Sequence, residues 1–148
     1  MDYRLHHEDD ATAVQAAVLQ GLRQASPADV GPRDYQTLAL SLRDAEDRIV
    51  GGVFGATMWG WLMIDGLWVD ASLRARGLGR QLLLSCEAKA LERGCRGAWL
   101  GTFDFQAREF YERQGYTVFA ALPEFPRGHT HFHLWKPLSP ERVVAPGA

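Results

Sequence analysis

The sequence predicts an α/β fold, a mixed β-sheet with helices packed on it. Apolar residues alternate with a period of two in some segments and recur at helical spacing in others. The two kinds of segment interleave along the chain in the order β-α-β-β-β-α-β-α-β-β, which is typical of a mixed sheet. The chain has 148 residues, 47% of them hydrophobic, which is enough to bury a core of its own.

The N-terminal segment is predicted to hold a short strand and one helix. Residues 3–5 favour the strand, and Asp9 or Asp10 is in position to cap a helix over residues 11–24. The apolar residues of this helix fall on one face; they are Val14, Ala17, Val18 and Leu22.

Three strands are predicted next, after a loop over residues 26–32 that contains proline and glycine. The first strand covers residues 35–42 and places three leucines on one face. Two apolar strands follow over residues 49–58 and 62–69. A polar turn at residues 44–47 separates the first two strands.

The second half of the chain is predicted to alternate helices with strands. Apolar residues at helical spacing begin at Leu78 and end near Leu91, and Gly94 is a natural stop. A strand, a short helix and two closing strands are then predicted over residues 98–101, 106–114, 116–121 and 130–135. We expect one domain over residues 1–138 and a frayed tail over residues 139–148.

Composition and charge exclude several classes of protein. A formal net charge of -2 argues against a protein that mainly grips nucleic acid or an anionic membrane. No apolar segment is long enough to span a bilayer, and the first residues do not resemble a signal peptide. The two cysteines, Cys86 and Cys95, belong to no CxxC pair and are expected to be reduced thiols of a cytoplasmic protein.

The most informative segment is the glycine turn between the third strand and the next helix. Gly77 and Gly79 occupy the first turn of that helix, and three arginines surround them; these are Arg74, Arg76 and Arg80. Free N–H groups and the helix dipole favour an anion there, and glycine allows a phosphate to approach the backbone. The alternative is an ordinary strand-helix turn with solvated arginines, because the spacing matches neither a dinucleotide-binding nor a Walker motif.

Two motifs together resemble the GCN5-related N-acetyltransferase (GNAT) family. Arg74-x-x-Gly77-x-Gly79 is similar to the family's acyl-CoA pyrophosphate loop, and the segment from Tyr111 to Gly115-Tyr116 resembles its second signature. The separation of the two motifs leaves room for the helix and strand that the family has there. The resemblance implies a sheet of six to seven strands, helices on both faces and two splayed central strands.

The resemblance also implies how acetyl-CoA, the acyl donor, would bind. The loop backbone would hold its pyrophosphate, with the side chain of Arg74 at the first signature position. The preceding strand would pair with the pantetheine arm, and one of its N–H groups would polarise the thioester carbonyl. The donor-binding residues implied in this way are Leu67, Trp68, Val69, Arg74, Arg76, Gly77, Leu78, Gly79, Arg80 and Gln81.

Three further residues are given roles by the resemblance, each with a structural alternative. Tyr111 would be the general acid that protonates the departing thiolate, or a core aromatic residue. Asp104 stands where the family often has an asparagine that contacts pantetheine, or it caps the following helix. Asp65 is predicted to be the general base or a substrate anchor, since it shares a predicted strand face with Leu67 and Val69, or else a turn or bulge residue.

The acceptor side of the site is less defined by the sequence. His129, His131 and His133 alternate on one strand, which suggests either a metal site or a solvated face, and we expect no metal. His129 follows a turn and is a candidate acceptor contact or alternative base. Asp29 and Tyr35 are candidate acceptor contacts in the loop region where the family varies.

The sequence therefore predicts an N-acetyltransferase that moves the acetyl group of acetyl-CoA to an amine by direct attack. A small-molecule amine is the favoured acceptor, and a protein lysine or N-terminus is the alternative. A rival class is an acyl-CoA-binding regulatory module without turnover, and another is a metal-binding protein that uses the histidine strand. The chain is expected to act as a monomer or a homodimer.

Overall fold

The structure is a computed structural model that describes residues 1–138, so the tail predicted over residues 139–148 lies outside the described residues. The chain divides into two compact units, residues 1–32 and the part that begins at Arg33, and each is described by itself. That residues 1–138 act as one domain stays a prediction.

The first unit contains a single α-helix, α1 (Thr12–Ala25), and a 3-10 turn at Ala28–Val30. The predicted helix is confirmed, and Asp10 accepts a hydrogen bond from the Thr12 N–H at 3.0 Å at its start. The strand predicted over residues 3–5 is wrong, since these residues have no regular structure. A strand of three residues forms too few ladder hydrogen bonds to persist without a neighbouring strand, and none of the strands within residues 1–138 pairs with it.

The second unit is built on a six-stranded sheet with the strand order β1-β2-β3-β4-β6-β5. Its elements are β1 (Gln36–Arg43), β2 (Ile49–Met58), β3 (Trp61–Val69), α2 (Leu78–Glu92), β4 (Gly97–Phe103), α3 (Arg108–Arg113), β5 (Thr117–Pro123) and β6 (Thr130–Pro137). The neighbouring strands are antiparallel except β3 and β4, which are parallel. The predicted mixed sheet with helices is confirmed.

The hydrophobic core of this unit lies between α2 and the sheet. Most of the apolar face predicted for α2 is buried, with Leu83 and Cys86 fully inaccessible to solvent, but Leu91 near the end of the helix is 45% exposed. The strands supply the other large side chains that are fully buried, namely Val53, Leu62, Leu100 and Leu134. Both cysteines are unpaired and buried. None of the helices in the described range has the length and apolarity that crossing a bilayer requires.

Candidate active site

A β-bulge at Asp65 interrupts the pairing of β3 with β2. Ile64 is opposite Gly55 and Gly66 is opposite Phe54, so Asp65 has no register partner in β2. Glycine is required at position 55, because a Cβ there would collide with the backbone of β3. A bulge bends a strand and re-aims its side chains, and the side chain of Asp65 is exposed here. The bulge also interrupts the alternation on which the predicted face of Asp65 depended.

Strands β3 and β4 separate immediately after the bulge begins. Four residue pairs join them, and the last pair is Ile64 with Leu100. Beyond it β3 continues to Val69 and β4 to Phe103 without pairing with each other. The gap between the strand ends is a cleft of ≈ 710 Å³.

This cleft brings together most of the residues predicted for the site. Those that line it are Asp65, Leu67, Trp68, Val69, Arg74, Gly77, Leu78, Gly79, Arg80 and Tyr111. Of the other predicted residues in the described part of the second unit, none lines it; these are Tyr35, Arg76, Gln81, Asp104 and His129. Asp29 lies in the 3-10 turn of the first unit.

The N-terminus of α2 forms one wall of the cleft. Gly77 caps the helix in a left-handed conformation (φ 74°), which favours glycine. The N–H groups of Leu78, Gly79 and Arg80 occupy the first helical turn, where an amide has no intrahelical acceptor. The Gln81 N–H already donates to the Gly77 carbonyl at 3.0 Å, so this amide is not free for a ligand.

Positive charge surrounds the free amides. Arg74 and Arg80 line the cleft, and so does Arg113, which the sequence analysis did not identify. The Arg80 Nε donates to the Gln114 side chain at 3.2 Å, which ties α2 to the end of α3. Three arginines that line the same cleft as the free helix amides form a site suited to a phosphate group.

Tyr111 lies on α3 and reaches the cleft from the helix side. Only 6% of the residue is exposed. Its ring packs edge-on against Tyr116, with the ring centroids 5.8 Å apart. Its hydroxyl forms no hydrogen bond with any other residue of the range 1–138, and the residue lines the cleft. Burial raises the pKa of Tyr111 to about 12, so this hydroxyl keeps its proton at neutral pH.

A buried charged network behind Tyr111 escaped the sequence analysis. Glu87 of α2 is 4% exposed, and it accepts hydrogen bonds from the Tyr116 hydroxyl at 2.7 Å and from the Lys136 Nζ at 2.8 Å. Burial, followed by the charge of Glu87, raises the pKa of Tyr116 far above its usual range. The available signal was a glutamate on the apolar face of α2, beside Cys86.

Asp104 and His129 form a pair at the end of β4. The Asp104 carboxylate accepts from the Thr130 N–H at 2.9 Å and lies 2.8 Å from the His129 Nδ1. The Thr130 N–H, and to a lesser degree His129, lower the pKa of Asp104. The carboxylate is thus held by β6, and its predicted contact with pantetheine stays a prediction.

Comparisons with known proteins agree with this geometry. Residues 11–116 match the model of a family described as the acetyltransferase (GNAT) family. The chain is similar to a blasticidin-S acetyltransferase of Streptomyces morookaense, with 40% identity over 84% of this chain and 90% of that protein. It is also similar to an acetyltransferase of Agrobacterium fabrum, with 32% identity over 88% of this chain and 94% of that protein.

A solved structure shares the fold closely. The crystal structure of an acetyltransferase from Bacillus cereus superimposes with a TM-score of 0.80 and 32% sequence identity. The match covers 93% of this chain and 97% of that chain.

Proposed function

The chain belongs to the GNAT acetyltransferase family, and we propose that it transfers the acetyl group of acetyl-CoA to an amine of a small molecule. The observation that carries this proposal is one cleft with two chemically different ends. Free amides at the start of α2 and the arginines that line the cleft form an anion site, the Asp65 bulge lies where β3 and β4 separate, and Tyr111 lines the same cleft.

The donor is held largely by the backbone. The pyrophosphate of acetyl-CoA binds the N–H groups of Leu78, Gly79 and Arg80, with the side chain of Arg74 beside it. Beyond Ile64, β3 has no partner in β4, so the backbone from Leu67 to Val69 pairs with the amide groups of the pantetheine arm. A backbone N–H of the same segment polarises the thioester carbonyl. A larger side chain at position 79 fills the donor site, because Gly79 faces the cleft between Leu67 and Phe110.

The reaction proceeds in a ternary complex. The amine nitrogen attacks the carbonyl carbon of the thioester, and the carbon–sulfur bond breaks. The amine loses its proton to the carboxylate of Asp65 or to water, and His129 is the alternative base. Tyr111 donates the proton that converts the CoA thiolate into a thiol.

The acceptor is proposed to be a small molecule on the strength of the relatives. The Streptomyces morookaense relative is named for blasticidin S, so blasticidin S is the first acceptor to assay. His129, Asp29 and Tyr35 remain proposed acceptor contacts. The proposed compartment is the cytoplasm, since it supplies acetyl-CoA.

Binding of acetyl-CoA and release of CoA thiol test the proposal together. Calorimetry is expected to show micromolar binding that is lost in Gly79→Trp. Gly21→Trp is a matched control, because a Cβ placed on Gly21 has no atom within 4 Å apart from its chain neighbours and the backbone of its own helix. If wild-type protein binds acetyl-CoA but releases no thiol with any amine, it is the acyl-CoA-binding module instead. If the wild-type protein gives no heat at millimolar acetyl-CoA, the glycine turn does not bind the donor and is an ordinary strand-helix turn.

A further inference from the structure

A group of aromatic rings borders the cleft at the carboxyl end of β4. Phe105 lines the cleft, yet 56% of it is exposed. It stacks on Phe103 with centroids 5.1 Å apart and planes within 8° of parallel. The ring of His129 meets Phe105 edge-on at 5.0 Å. Phe103 and Phe105 therefore form a stacked aromatic pair, partly open to solvent, beside the proposed site of acetyl transfer.

Two more rings extend this surface. His131 of β6 lies 4.4 Å from Phe103, and Phe125 lies 5.8 Å from Phe103 and 5.7 Å from His131. These rings, together with Phe105 and His129, are called the aromatic wall below. His131 is half-buried, so the solvated face considered for the histidine strand does not describe this residue.

The aromatic wall is continuous with the cleft through Gly101. Gly101 lines the cleft and follows Leu100, the last residue of β4 that pairs with β3. A Cβ on Gly101 would lie 2.7 Å from the His131 ring, so the imidazole covers the backbone of the cleft at this point. A ligand in the cleft that extends past Gly101 meets the aromatic wall.

The charges around the wall favour a cationic amine. Desolvation lowers the pKa of His131, and the nearby His133 lowers it further, which favours the neutral, uncharged form of this imidazole. The lowered pKa of Asp104 keeps that carboxylate ionised beside the wall. Aromatic faces and a carboxylate together attract an organic cation.

We propose that the aromatic wall binds a planar ring of the acceptor, so that the transferred acetyl group goes to an amine carried by an aromatic or heteroaromatic compound. This inference rests on the proposed function and names its substrate class. Phe105 provides the exposed stacking face, and Asp104 provides the negative charge for the protonated amine as it arrives. Stacking on one ring corresponds to about a tenfold gain in affinity.

The test compares two amines of the same shape in a complex that cannot react. The protein is saturated with CoA, which has no acetyl group to transfer, and is titrated with benzylamine or with cyclohexylmethylamine. Benzylamine is expected to bind about tenfold more tightly. Phe105→Leu is expected to abolish this preference, whereas Phe105→Tyr retains it.

Phe119→Leu is the matched control. Phe119 is 49% exposed, like Phe105, but its ring contacts His133 and does not line the cleft. Equal affinities for the two amines, binding of neither amine at millimolar concentration, or a preference that survives Phe105→Leu would each overturn the inference. The inference would also be overturned if the molecular mass of the wild-type protein in solution rose with protein concentration and that of Phe105→Leu stayed at the monomer value. The aromatic wall would then bind a second copy of the chain.

Failure of this inference is distinguishable from failure of the proposed function. Protein that fails to bind CoA at all refutes the proposed function, and the substrate class falls with it. Protein that binds CoA and acetylates amines without any preference for a planar ring retains the proposed function and refutes only the aromatic wall.

Discussion

Two neighbouring tyrosines should respond oppositely to the same substitution. Tyr111 and Tyr116 are both buried and contact each other, with 6% and 3% of each exposed. Tyr111 lines the cleft, whereas Tyr116 does not, and the Tyr116 hydroxyl donates to Glu87. We expect Tyr111→Phe to lose activity with little change in stability, and Tyr116→Phe to lose stability with little change in activity.

The size of each effect follows from what each hydroxyl does. General acid catalysis contributes about 10²–10⁴-fold, and the lower end applies here because a thiol of pKa about 8.5 is a good leaving group. We therefore expect Tyr111→Phe to lower kcat about 100-fold. Tyr116→Phe removes a hydrogen bond to a buried carboxylate and is expected to cost about 2 kcal/mol. That loss lowers Tm by about 4–8 °C in a chain of this size.

The pH dependence gives an independent check on Tyr111. A general acid works only while it holds its proton. Because burial raises the pKa of Tyr111 to about 12, its donating form persists through pH 10. Below pH 10, the kcat of the wild-type enzyme should therefore show no alkaline decline that is missing from the pH profile of Tyr111→Phe.

Thiol release and thermal unfolding measure both variants. A kcat for Tyr111→Phe within threefold of wild type would refute the role of general acid. Equal losses of kcat in the two variants, with Tm unchanged in both, would refute the distinction between them.

Three further predictions concern the donor site, the buried charges and a thiol. Arg74→Ala is expected to raise the KM for acetyl-CoA about tenfold with little change in kcat; an unchanged KM would remove Arg74 from the pyrophosphate site. Lys136→Met should destabilise the protein by about 3 kcal/mol in urea unfolding, because it strands the carboxylate of Glu87, and adding Glu87→Gln should restore more than half of that loss. Equal stabilities of the single and double variants would contradict this account. Burial raises the pKa of Cys86 from 9.0 to about 11, so its alkylation by iodoacetamide at pH 8 should be about 100-fold slower in the folded protein than in urea; similar rates would show that the thiol is accessible.

The local sequence patterns predicted most of the elements, because each depends on residues close together in the chain. The apolar segment over residues 49–58 predicted β2 with its observed ends. The strand predicted over residues 98–101 is longer, Gly97–Phe103, because Thr102 and Phe103 pair with β6. That pairing joins segments about 30 residues apart, which no local pattern reveals.

The same difference between local patterns and long-range contacts separates the site residues that the sequence predicted from those that it did not. The glycine turn and Tyr111 belong to short motifs, and the cleft contains them both. The aromatic wall draws on three separate segments of the chain, and the pair of Glu87 and Lys136 joins α2 to β6 across 49 positions. Their assembly follows from the strand order of the sheet, which places β6 beside β4.

The four pairs between β3 and β4 also determine how the sheet can open. The strands β1, β2 and β3 form one antiparallel ribbon, and β4, β6 and β5 form another. Within the described chain, the two ribbons meet along the sheet only through the pairs that end at Ile64 and Leu100. Such a junction is a weak boundary between two cooperative units, so local opening is expected there before global unfolding. A donor whose pantetheine arm lies between the ribbons bridges that boundary. Binding of the donor should slow amide hydrogen exchange in β3 and β4 together. The bound donor would then make the two ribbons unfold more cooperatively.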